Sequence, residues 1–315
     1  MRHCRFFFNP TGRYPITSNM TKQHKLTDIF EQQRLRLFRQ AYGMLGRVAP
    51  AEDVVQEAWL RWQKQDMETI RSPAAFFSTV VHRICLDELK KARHQRERYI
   101  GPNLPEPLLE APTRTPDEEL ELAESLSMAM LVILDELSPV QRAVFILREL
   151  FEYDYETISD VVNKSTAHCR KIAQRARDQI HDRKPVFERK PAAQQGLVKA
   201  LLEAVQRQDL AEVEALLAED SVLYSDGGGK VTAARKPIYG SNKIARFLVG
   251  IQKQAPEGKK WWLEYTSVNG EPGMIIRVEG QLYNVWSFHI EEQKIESIYV
   301  VLNPNKLGTA KKQLS

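Results

Sequence analysis

Between residues 26 and 98 apolar side chains recur every three or four positions, a spacing that lines one face of a helix and predicts three or four helices there. In "PAEDVVQEAWLRWQKQ", Val54, Val55, Ala58, Trp59 and Trp62 share a stripe, while Asp53, Gln56, Glu57 and Arg61 fall off it. Pro50 opens that helix. Ser72 caps the next, with Pro73 in the first turn, where a helix leaves the N–H unpaired anyway. That helix closes on "KKARHQRER", a cationic run that complements the macrodipole as a solvated end. Residues 101–124 then carry five prolines and seven carboxylates against one arginine, the composition of a linker.

Helical periodicity resumes at Leu126 in the layout of a helix-turn-helix. Ser138 and Pro139 start one helix, Tyr155, Ile158, Val161 and Val162 form the apolar face of a short second one, and Asn163-Lys164-Ser165 makes the turn. Asparagine tolerates the left-handed conformation such a turn requires. On the third helix Cys169, Ile172, Ala173, Ala176 and Ile180 face inward, which turns Arg170, Lys171, Gln174, Arg175 and Arg177 outward. Arginine and lysine neutralise phosphates, and arginine and glutamine make bidentate bonds to base edges, so this face suits duplex DNA. A charged amphipathic helix of an enzyme gives the same pattern.

Beyond about Arg183 the pattern changes again. Two helices, "GLVKALLEAVQRQ" and "LAEVEALLAE", precede "SVLYSDGGGK"; a helix spans about 241–251; strands follow at "KWWLEYTSV", "GMIIRVEG", "LYNVWSFHI" and "KIESIYVVL". Asn269-Gly270 and Glu292-Gln293 mark turns between strands. This is an α+β domain. The lysine of "DGGGK" is followed by Val231 and not by a hydroxyl residue, so the stretch is no Walker loop; adjacent glycines are the material of a tight turn.

A chain of 315 residues with 43% hydrophobic content has room for two or three well-cored domains. Its net charge of +4 hides strong segregation of basic segments. Cys4, Cys85 and Cys169 form no CxxC pair, which points to a reducing compartment and excludes a zinc site. No apolar run approaches the roughly 20 residues that cross a bilayer, so the expectation is a cytoplasmic protein without a membrane partner, metal or cofactor. The opening stretch has no periodicity and ends at Met20, an alternative start.

The block "RLFRQAYGMLG…APAEDVVQEAWLRW…RSPAAFFSTVVHRICLDELKKAR" resembles domain 2 of the extracytoplasmic function (ECF) branch of the sigma-70 family, and residues 126–184 resemble its domain 4. The extension resembles the SnoaL-like, NTF2-like cone of the SigJ-like group, through "LPEP" (Leu104, Pro105, Glu106, Pro107), "DGGGK" (Asp226, Gly227, Gly228, Gly229, Lys230) and "NPNKL" (Asn303, Pro304, Asn305, Lys306, Leu307). Asn305 stands where the commoner motif has Asp. The implied fold is multidomain: two all-α sigma domains, then an α+β cone with a curved antiparallel sheet.

The resemblance implies a sigma factor that binds core RNA polymerase, on the β′ clamp helices and the β flap, and promoter DNA. Asp53, Gln56, Glu57 and Arg61 are the implied polymerase contacts. Arg71, Phe76, Phe77, His82 and Arg83 are implied at the minus 10 element, although either phenylalanine suits the core equally. Ser165, Thr166, His168, Arg170, Lys171, Gln174, Arg175 and Arg177 are implied at minus 35. The three motifs would form one regulatory surface, the proline-rich linker docking as a pre-extended segment. The implied domains are 25–98, 125–186 and 196–307, with 1–24 disordered or before the true start, linkers at 99–124 and 187–195, and a tail at 308–315. The cone invites a small-molecule ligand. Asp226, Tyr265, Trp286 and His289 are its candidates for acid-base work, but no second carboxylate can be placed beside them, and a non-enzymatic regulator is expected. The competing reading is a ligand-binding or enzymatic SnoaL-like protein acting as a conventional transcription regulator.

Overall fold

The computed structural model describes residues 16–66, 70, 72–96, 99–109, 126–180, 191–252 and 260–313. Arg71, most of the acidic stretch after Leu109 and the side chains of the cationic run beyond Lys91 lie outside these residues. Helices α1 (Ile16–Leu45), α2 (Val48–Trp62) and α3 (Pro73–Arg96) come first. α1 thus begins within the stretch expected to be disordered, since no proline or glycine interrupts the chain between Ile16 and Tyr42. The three helices close on an aromatic knot. Trp62 packs on Phe77 at 4.9 Å, Phe30 on Trp59 at 4.9 Å, and the Trp62 indole donates to the Leu26 carbonyl at 3.1 Å.

The next unit holds α4 (Met128–Glu136), α5 (Pro139–Phe145), which continues as a π turn over Ile146–Leu150, α6 (Tyr155–Val162) and α7 (Thr166–Ile180). Each start is signposted locally. Ser127 accepts from the Met130 amide, Ser138 and Gln141 form a complete capping box, and Asp154 accepts from the Thr157 amide. Asn163 ends α6 at φ 53°, the left-handed turn read from the sequence. The two helical units share one hydrophobic core. Ser78 and Tyr153 hydroxyls meet at 2.6 Å, Arg83 donates to the Asp160 carbonyl at 2.6 Å, and Arg142 reaches the Met44 carbonyl at 2.8 Å.

The remaining domain runs α8 (Pro191–Gln206), α9 (Leu210–Leu216), β1 (Leu217–Asp226), β2 (Ile238–Tyr239), α10 (Ser241–Gln252), β3 (Trp261–Val268), β4 (Glu271–Val278), β5 (Gln281–Glu291), β6 (Lys294–Val301) and α11 (Gly308–Gln313). α8 starts inside the expected second linker, with Pro191 at its first position, and α11 replaces the expected tail, with Ala310 buried. The six-stranded sheet has the order β2-β1-β6-β5-β4-β3; it is antiparallel except where β1 runs parallel to β6. Asn269-Gly270 and Glu292-Gln293 turn with positive φ as expected, and Glu279-Gly280 does the same between β4 and β5. Met274, Trp286, Phe288 and Ile298 fill one face of the sheet against Leu201, Ile244 and Leu248 of the helices. The other face takes Leu104 and Leu109 from the linker and Met128 and Ala129 from α4 onto Val268, Val285, Tyr299 and Val301. Residues 99–109 are therefore no free linker but a strap, buried from Leu104 to Leu109 between the helical units and the cone.

Candidate functional sites: two open helical faces and a buried clasp

On α2 the apolar stripe packs inward, Val54, Val55, Ala58 and Trp62 being buried, and Asp53, Gln56 and Arg61 stand exposed beside the half-buried Glu57. Arg61 and Glu57 pair at 2.8 Å one turn apart, an exposed contact of small energetic value. Leu60 adds an exposed apolar residue to the same helix. This is a charged surface with an apolar element, free for a partner.

α7 presents Arg170, Lys171, Gln174 and Arg175 to solvent, with Ser165 and His168 exposed and Thr166 half-buried at its start. Ser165 caps, accepting from the His168 amide at 3.3 Å. Arg177 differs from its neighbours: it is half-buried, pairs with Glu149 at 2.8 Å and braces Gln174, so it orients the face from its edge. Arg170 lies over the Tyr155 ring at 5.2 Å.

The minus 10 candidates divide. Phe77 and His82 are fully buried and correct the expectation drawn for them. Phe77 is the centre of the aromatic knot, and His82 hydrogen-bonds the Ser78 carbonyl at 3.0 Å, its pKa lowered by burial to about 4. Phe76 is half-buried, and Arg83 is exposed but bonded to α6.

The three short motifs meet. Asp226, fully buried at the end of β1, accepts from the Tyr99 hydroxyl at 2.6 Å, the Gly228 amide at 3.0 Å, the Leu104 amide at 3.0 Å and Lys306 Nζ at 2.6 Å. Lys306 also donates to Asn103 Oδ1 at 2.6 Å and to the Leu104 carbonyl, which exhausts its three protons. Burial lowers the pKa of Lys306, and the charge of Asp226 and the hydrogen bond that Lys306 donates to it oppose that. Asn303 donates to the Tyr99 hydroxyl at 2.7 Å. A Cβ on Gly228 would stand 2.2 Å from the Asn303 amide, and one on Gly227 2.3 Å from the Val231 carbonyl, so these glycines make the close approach possible. Gly228 also has φ +59°. Gly229 and Lys230 are exposed, Lys230 reaching Asn305 Oδ1 at 3.0 Å; Pro304 is exposed and Leu307 buried.

The "LPEP" strap is wholly buried and is held on its other flank by the first helical unit. The Glu106 amide donates to the Gly46 carbonyl at 2.9 Å, and the Tyr42 hydroxyl to the Glu106 carbonyl at 2.5 Å. Asn269, at the β3–β4 turn, donates to Leu126 and to Tyr42 and pairs with Leu108. Cavities of about 340 and 320 Å³ open beside the clasp; the sheet face expected to hold a ligand is packed with Met274, Trp286 and Phe288. Sequence reading missed Tyr99, Asn103, Tyr42 and Asn269, because isolated polar residues on loops and helices carry no periodic signal.

The four cone residues weighed for acid-base work do not assemble. Asp226 belongs to the clasp, Tyr265 is exposed, and the Trp286 indole donates to Asn284 at 2.9 Å. His289 sits buried between Glu271 at 2.6 Å and Glu291 at 2.8 Å. Burial acts to lower its pKa, but the hydrogen bond and charge of Glu271, then those of Glu291, outweigh it and hold the ring cationic with a pKa of about 9. The second carboxylate thus exists; Glu291, two residues along the same strand, was findable, whereas Glu271 comes from the neighbouring strand.

Sigma-70 region 2 matches residues 29–95, and Sigma-70, region 4 matches residues 127–180. The chain is 34% identical to the ECF RNA polymerase sigma factor SigJ of Mycobacterium tuberculosis over 286 residues, 88% of this chain and 91% of that one. It is 26% identical to the probable ECF RNA polymerase sigma factor SigI of the same species, across 94% of this chain and 99% of the other. The crystal structure of the M. tuberculosis SigJ superposes with a TM-score of 0.72 at 30% identity, covering 89% of this chain and 98% of that one.

Proposed function

The chain belongs to the ECF sigma factors of SigJ type, and from that premise we infer how its surfaces divide the work of transcription initiation. The exposed face of α2, with Asp53, Gln56, Glu57 and Arg61, binds core RNA polymerase on the β′ clamp helices, and the helix-turn-helix unit docks on the β flap. Arg170, Lys171, Gln174 and Arg175 enter the major groove of the minus 35 element. Phe76 and Arg83, with Arg71 from outside the described residues, take the minus 10 strand once α6 has moved off α3. The protein carries no catalysis of its own; the His289 cluster is spent within the sheet.

The cone regulates by holding the strap. The observation that carries this reading is the saturation of Asp226 and Lys306 by Tyr99, Asn103 and Leu104, three residues of the segment that joins the two DNA-binding units. Promoter engagement sets the separation of those units, so a device that fixes their connection biases the equilibrium between closed and open forms. The test combines binding and transcription. Asp53→Ala with Glu57→Ala abolishes core binding while circular dichroism stays native, both residues lying off the apolar stripe. Arg170→Ala or Arg175→Ala weakens promoter binding by about 1–3 kcal/mol for a base contact. Wild-type core affinity in the first variant, or unchanged transcription from promoters that depend on minus 35 in the others, overturns the corresponding assignment.

A further inference from the structure

α2 begins without a cap of its own. Arg47 holds the N-cap position with φ −139° and ψ 133° but contributes no side-chain hydrogen bond, and the first turn contains no acidic residue. Helix starts leave their first amides unpaired and carry partial positive charge, so a carboxylate is the natural complement. Here it arrives from another part of the chain. Glu106 of the strap, 5% exposed, places Oε2 2.8 Å from the Val48 amide, and Oε1 3.7 Å from Arg47 Nε. Its own backbone is pinned to Gly46 and Tyr42 at the end of α1. Two residues back, Leu104 has its amide on Asp226 and its carbonyl on Lys306. Pro107 confines Glu106 to extended backbone, and Pro105 fixes its own φ just before it.

We propose that Glu106 is a positioning residue that caps the polymerase-docking helix from the strap, so that engagement of the strap by Asp226 and Lys306 sets the order of the first turn of α2 and with it the affinity for core polymerase. This rests on the reading of α2 as the docking helix. The coupling path is short: cone, Leu104, Pro105, Glu106, Val48. It converts the state of the cone into a property of a helix whose exposed face the cone does not touch through any bond described above.

The test is a double-mutant cycle on the full-length chain, with dissociation constants measured against core polymerase. Glu106→Ala weakens core binding by about fivefold, the usual value of one helix cap, and accelerates amide exchange at Val48. In a Lys306→Ala background, where the strap is released, the same change has little further effect. Adding Arg47→Ser gives α2 a local cap, restores core affinity to Glu106→Ala and makes affinity indifferent to Lys306→Ala. A purely structural role moves stability but predicts neither the dependence on background nor the rescue. Equal effects of Glu106→Ala in both backgrounds, or no rescue by Arg47→Ser, overturns the coupling. Asp53→Ala with Glu57→Ala, run in parallel, separates the failures. If that variant keeps full core affinity, the docking assignment falls and the coupling with it. If it loses affinity while the cycle is additive, the coupling alone falls.

Discussion

The cone holds two buried cations, His289 on β5 and Lys306 in the turn after β6, and they do different jobs with similar chemistry. His289 finds Glu291 on its own strand and Glu271 on the adjacent one, so its ionic bonds tie the sheet to itself. Lys306 finds Asp226 in the cone but spends its other protons on Asn103 and Leu104, some 200 positions earlier in the chain. A buried charge must be matched by partners, because leaving it unpaired costs far more than the pair contributes. Where the partners are local, the result is a stiffer sheet. Where some partners belong to a strap between domains, the same requirement becomes a closure device, since opening takes Asn103 and the Leu104 carbonyl from Lys306 and the Tyr99 hydroxyl and Leu104 amide from Asp226.

The largest effect that separates the two sites comes from Lys306→Ala. It strands the Asp226 carboxylate among neutral donors and costs about 3–5 kcal/mol of closure. Amide exchange of Leu104 and Glu106 rises while β5 stays protected; equal loosening of strap and sheet breaks the comparison. His289 gives the next effect, with a distinct pH signature. Its pKa is raised from 6.5 to about 9, so its stabilisation is complete below about pH 6.5 and disappears as pH climbs through about 9. At most about 3 kcal/mol is at stake. Thermal unfolding followed between those limits falls in midpoint for the wild type, and His289→Gln flattens the curve without changing exchange in the strap. Lys306 is shifted the other way, its pKa lowered by burial, so its linkage gains stability as alkaline pH discharges it. The smallest effect is Asn305→Asp, which turns the exposed Lys230–Asn305 hydrogen bond into an ion pair. It adds less than about 1 kcal/mol, and added salt removes the gain in a melting experiment.

Much of the helical half is legible in the sequence because its signals are local. The caps at Ser72 and Ser138, the left-handed Asn163 and the two faces of α7 all follow from residues within a turn or two of one another. The same holds for the hairpin turns of the sheet. Legibility fails where partners are distant. Phe77 and His82 sit on a helix whose pattern allows either face to be buried, and only the packing of Phe30, Trp62 and α6 against α3 sends them inward. The parallel pairing of β1 with β6 is likewise invisible along the chain.

The sequence by itself determined the two helical units, the basic outward face of α7, the charged face of α2 and an α+β domain after them. Periodicity, caps and turn residues act over a few positions and need no knowledge of the rest of the chain. Only the tertiary structure decided that Tyr99 and Asn103 join the surface expected of the three motifs and that Asp226 and Lys306 are desolvated within it, that Glu106 caps a helix far from it in sequence, and that the helical units close on each other. Those outcomes depend on burial: a carboxylate or ammonium is an ordinary solvated group until the folded chain removes its water, and then its partners are fixed by where every other element has come to rest.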